Sequence, residues 1–109
     1  MITVRFDICS CTVTGHAGSG AYGQDLVCAA VSALTLSLAA GVTALPRQRL
    51  REVILEPGDA RIRALPRWGG KRRAEAVFDA AYQGFSRLAK EYPEYVRVRG
   101  IEREGTGTV

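Results

Sequence analysis

The chain has 109 residues, 47% of them hydrophobic and 24% charged, with a net charge of +4. Those proportions describe one soluble domain with one modest core, and they exclude a largely disordered chain or two independent cores. Three cysteines, an odd number with no secretory signal ahead of them, exclude a disulfide framework. They point to a reducing, cytoplasmic setting in which a special thiol is catalytic or metal-binding.

Ile2, Val4 and Phe6 alternate with Thr3, Arg5 and Asp7, the period of a half-buried strand. A hairpin turning near Asp7 to Ser10 leads into a second strand, with Cys9 and Cys11 expected on one face of it as small core fillers. Gly15 to Gly23 holds four glycines in nine residues and reads as an irregular loop, with Gly18, Gly20, Tyr22 and Gly23 as its flexible part. Asp25 is a good N-cap residue, so a long helix is expected from there to about Ala44, stopped by Pro46. Arg51 to Leu55 and Ala60 to Leu65 read as two strands about a Pro57-Gly58-Asp59 turn. Ala74, Val77, Phe78, Ala81, Phe85, Leu88 and Tyr92 fall at helical spacing, and this second helix ends at Pro93. Tyr95 to Ile101 alternates again as a last strand. The expected fold is α+β: a two-layer domain over residues 1–104, order ββαββαβ, two helices on a mixed or antiparallel sheet, and a flexible tail at 105–109.

The residues with chemistry are His16, the only histidine, and Cys28, 12 positions later. A thiol attacks as its thiolate, which a neighbouring imidazole favours by taking the proton. With Asp25 as N-cap, Cys28 sits in the first helical turn, where unpaired N–H groups add positive potential and can hold an oxyanion. The chain has no asparagine, so a Cys-His-Asn set is excluded. Asp25 is the available carboxylate to orient His16, and capping competes for the same oxygens.

Other readings of the same residues stay open. Cys9, Cys11, Cys28 and His16 are of zinc-ligating type, although two thiols in Cys-x-Cys spacing project in parallel from a strand. Leu26 to Leu45 runs 20 residues without a charge, long enough to span a bilayer. Its many alanines, serines and threonines suit better a helix buried by its own domain or by a second subunit. Arg47 to Arg73 holds nine of the 15 basic residues. It is either a solvated basic face or the contact of a non-catalytic ribosome- or RNA-binding module.

Gly15-His16-Ala17-Gly18, followed by Tyr22-Gly23-Gln24-Asp25-Leu26-Val27-Cys28-Ala29-Ala30-Val31-Ser32, closely resembles the signature of the bacterial ribosomal-processing cysteine protease family, Prp. Glu91-Tyr92-Pro93-Glu94-Tyr95-Val96 resembles that family's approach to its last strand. The resemblance implies a cysteine endopeptidase with a catalytic dyad of Cys28 and His16. Gly15, Asp25 and Ser32 stand at matching motif positions in supporting or substrate-binding roles. It implies a small, soluble homodimer and a loop between the catalytic residues that closes over substrate; no metal and no cofactor are expected. The implied substrate is the precursor of a large-subunit ribosomal protein, the L-twenty-seven family, which loses a short N-terminal extension. Cys9, Cys11 and the arginine-rich stretch lie outside the motif.

Overall fold

The computed structural model describes residues 1–15 and 22–100. Within them run β1 (Ile2–Asp7), β2 (Ser10–Thr14), α1 (Tyr22–Thr43), β3 (Gln48–Glu56), β4 (Asp59–Pro66), α2 (Lys71–Glu91) and β5 (Val96–Gly100). This is the expected ββαββαβ order of an α+β fold. The expected tail, 105–109, lies outside the described residues.

The strands form one sheet in the order β3-β4-β2-β1-β5. It is mixed: β1 and β5 pair in parallel, and every other neighbouring pair is antiparallel. Two-residue connections suffice for the hairpins, whereas the parallel partner of β1 needs a long crossover, which α2 provides. Strand alternation sorts side chains between the faces. Ile2, Val4, Phe6, Cys11, Val13 and Ile62 point to one face and are buried. Thr3, Arg5, Thr12, Arg61, Arg97 and Arg99 point to the other.

Both helices cover the apolar face, α1 over β3 and β4 and α2 over β5 and β4. From α2, Ala74, Phe78 and Phe85 are each 0% exposed. Burying a phenylalanine of this kind contributes about 1.5–3 kcal/mol. Phe6 meets the Tyr82 ring edge-on, centroids 5.4 Å apart and planes at 88°, and Phe85 at 5.9 Å. The helices approach closely where Gly84 faces Leu34: a Cβ there would stand 3.0 Å from a leucine methyl.

Two local expectations are corrected. Helix α1 begins at Tyr22, not Asp25, so Tyr22 and Gly23 belong to its first turn and Asp25 is not its N-cap. Once a 22-residue helix is nucleated, each added residue gains a backbone hydrogen bond. That offsets the roughly 1 kcal/mol cost of a helical glycine at Gly23. Cys9, for its part, is not on β2. It occupies the β1–β2 turn with φ 55°, in the left-handed region, and is nonetheless 2% exposed. Its carbonyl accepts a 3.0 Å bond from the Ala64 N–H, and Ile8 N–H donates to the Asp7 carboxylate at 2.8 Å. The turn is therefore held from both sides.

Candidate active site

The end of β2, the cleft side of α1 and the β3–β4 turn enclose a cleft of about 390 Å³. The β2–β4 register sets Thr14 opposite Asp59, which brings the Pro57-Gly58 turn beside Gly15. The Gly15 N–H donates to the Gly58 carbonyl at 3.0 Å. Gly15 has φ +96°, and a Cβ on it would collide with the Met1 carbonyl oxygen. Only glycine satisfies both conditions without strain. The chain thus leaves β2 in one fixed direction immediately before position 16.

Cys28 lines this cleft, with Gly15 and Ser32, so three positions chosen from the sequence converge on one concavity. Cys28 is half-buried and Ser32 exposed, one helical turn apart on α1. Beneath them Thr35 is buried, its hydroxyl donating to the Val31 carbonyl at 2.7 Å, so it is committed to the helix. Leu36 and Leu55 both line the cleft and keep 57% and 46% of their surface exposed. Exposed leucines at the rim of a cleft suit an apolar or extended polypeptide ligand. His16, Gly18 and Gly20 lie outside the described residues, and for Asp25 only its place in the first turn of α1 is described.

With α1 starting at Tyr22, Cys28 is its seventh residue, in the second turn rather than the first. The terminal dipole fades within the first turn. The last unpaired N–H is that of Gln24, about 6 Å back along the axis at about 1.5 Å per residue. Helix-end activation of Cys28 is therefore weaker than its spacing from Asp25 suggests. A basic partner has correspondingly more of the proton transfer to do.

The β3–β4 turn escaped the sequence reading as a cleft wall. Glu56 and Pro57 line the opening, and no local signal marks them. Their position follows from β4 pairing with β2, a long-range pairing that a turn motif does not encode.

The other chemical readings meet plain geometry. Among the described residues no three His, Cys, Asp or Glu side chains gather to hold a metal. Cys9 and Cys11 are buried, and no disulfide joins the three cysteines. Leu26–Thr43 is long and apolar enough to cross a membrane, with 33% of that stretch buried in the domain. The basic stretch from Arg47 to Arg73 is no single surface. Arg51 is turned to the Leu45 carbonyl at 2.6 and 2.9 Å. Arg61 pairs with Asp59, Arg63 with Glu52 and Lys71 with Glu75, at 3.4, 3.6 and 3.9 Å.

The molecule is thus a two-layer α+β domain with a half-buried thiol in the wall of a cleft that Leu36 and Leu55 line. The family model for cysteine protease Prp matches residues 1–97, and the chain belongs to that family. The fold is shared with the essential ribosomal processing protease Prp from S. aureus in complex with a substrate peptide. There the TM-score is 0.76 at 23% identity, covering 92% of this chain and 99% of the other. The same S. aureus protease with a covalently linked product peptide gives 0.74 at 24% identity, again over 92% and 99%. SMU.848 from Streptococcus mutans is 31% identical with a TM-score of 0.71, over 92% of this chain and 93% of that one. No curated protein matches the chain.

Proposed function

We propose that this protein is a cytoplasmic endopeptidase in which Cys28 attacks a peptide bond and His16 moves the proton. Convergence of Cys28, Gly15 and Ser32 on one peptide-sized cleft, in a cysteine protease family chain, carries the reading. His16 takes the thiol proton as Sγ adds to the scissile carbonyl carbon, forming a tetrahedral oxyanion. As the C–N bond breaks, His16 returns that proton to the leaving amine, and a thioester remains on Cys28. Water then attacks the thioester with His16 again as base, releasing the carboxylate product and the thiol. Asp25 orients the imidazole, a role that helix capping no longer contests because α1 starts at Tyr22.

The substrate is the precursor of a large-subunit ribosomal protein of the L-twenty-seven family, which loses a short N-terminal extension. The S. aureus proteins that share the fold are described as ribosomal processing proteases, and their peptide complexes favour a peptide in this cleft. The working unit is a homodimer built on the outer face of α1, where Leu26 and Leu36 stand 51% and 57% exposed. Mass spectrometry of the host precursor after incubation with wild-type and Cys28→Ala protein tests the assignment. One defined N-terminal peptide should be lost with wild type alone. Cleavage by the Cys28→Ala protein would remove Cys28 as nucleophile, and an intact precursor in both reactions would remove the substrate.

A further inference from the structure

The face of the sheet turned away from the helices carries a cluster of arginines where β1 and β5 pair. Parallel pairing of β1 with β5 sets Arg5 directly beside Arg99 and Thr3 beside Arg97. Antiparallel pairing of β1 with β2 adds Thr12 next to Arg5 and Thr14 next to Thr3. Two rows result, Arg97-Thr3-Thr14 and Arg99-Arg5-Thr12; on β4 they continue to Asp59 and Arg61, which pair with one another and bound the cluster on that side. Arg5, Arg97 and Arg99 are all exposed, and among the described residues none of the three has a carboxylate partner.

Like charges directly opposite on neighbouring strands destabilise a sheet. Arg5 and Arg99 meet that description on a face with no core to build, so local folding does not explain them. Guanidinium groups interleaved with hydroxyls are the donor set that contacts nucleic-acid phosphates. Arg97 and Arg99, two residues apart, place their cations about 6.6 Å apart along the strand. An anionic membrane would favour apolar side chains among the cations, and beside Arg5, Arg97 and Arg99 these rows hold only threonines on β1 and β2. We infer that the open sheet face at β1 and β5 docks the phosphate backbone of RNA, leaving the Cys28 cleft, on the helix-covered face, free. This inference does not depend on the catalytic reading.

The test uses the full chain and a fluorescein-labelled 20-nucleotide single-stranded RNA, titrated by anisotropy at several salt concentrations. Wild type should bind with an affinity that falls linearly in log salt. Arg5→Gln/Arg99→Gln should lower the steepness by about 1.4 and weaken binding on the order of tenfold at 0.1 M salt. Arg72→Gln/Arg73→Gln on α2, an equal loss of charge elsewhere, should leave binding within about twofold of wild type. Arg99→Glu replaces the repulsion with a cross-strand attraction to Arg5, so it should melt no lower than wild type and still lose binding. Wild-type affinity in the Arg5/Arg99 variant, an equal loss in the Arg72/Arg73 variant, or binding to phosphatidylserine vesicles in place of RNA would each overturn the proposal.

Discussion

Cys9 and Cys11 keep 2% and 1% of their surface in solvent, while Cys28 stands half-buried in the wall of the cleft. Reactivity of a thiol follows access as well as ionisation, so the three should separate under a mild alkylating agent. Iodoacetamide on the native protein should label Cys28 alone, read by peptide mass spectrometry, with Cys9 and Cys11 labelled only after denaturation. Labelling of Cys9 at the rate of Cys28 would contradict the burial on which their separate roles rest. Gly15 carries the second prediction at this scale. Gly15→Ala forces a Cβ into the Met1 carbonyl at φ +96° and should destabilise the fold by about 1–3 kcal/mol, measured by urea denaturation. Its peptide cleavage should fall further than stability alone explains, because position 15 aims the chain into His16. Gly15 and Cys28, singled out by the sequence, both line the cleft, a glycine by its backbone conformation and a cysteine by its thiol, whereas His16 lies outside the described residues. The positive φ at Cys9 was not legible in the sequence, since turns of this type favour glycine or asparagine and the sequence offers a cysteine there.

At the scale of elements, the strands and helices were readable where apolar periodicity is unambiguous, as along α2 with Ala74, Phe78 and Phe85. The start of α1 was not, because Asp25 is a good cap and Gly23 a poor helix residue, and both local preferences yielded to helix propagation. Arg51 shows the same limit for charge. By composition it joins a basic segment, yet its guanidinium closes on the Leu45 carbonyl and ties the α1–β3 connection to the edge of the sheet. Arg51→Met should therefore cost about 1.5–3 kcal/mol, the range of a hydrogen bond to a charged group. Arg49→Met, at an exposed position close by, should stay within about 0.5 kcal/mol. Equal effects of the two in chemical denaturation would remove the structural role of Arg51.

At the scale of the whole molecule, the sheet separates two surfaces and α1 presents a third. The mixed sheet was legible only as one of two options, because the β1–β5 pairing joins opposite ends of the chain and no local pattern encodes it. The outer face of α1 is a different matter. Leu26, Ala29, Ala33, Leu36 and Ala40 recur at three- and four-residue intervals, yet all five are exposed in the single domain. A stripe so spaced belongs against another apolar surface. Its alanines let a second helix approach closely, and a twofold axis can set the stripe against itself. Sedimentation velocity at micromolar concentration should therefore give the dimer mass. Ala33→Arg, which sets a charge mid-stripe and leaves the Cys28 side of the helix untouched, should weaken association by about 100-fold, about 2.7 kcal/mol. A monomeric wild type, or an undiminished dimer in Ala33→Arg, would move the interface off α1. Because Leu36 belongs to both the stripe and the rim of the cleft, dissociation should also raise KM for the peptide more than it lowers kcat. An unchanged KM in the dissociated variant would mean that each cleft binds its peptide without help from the second subunit.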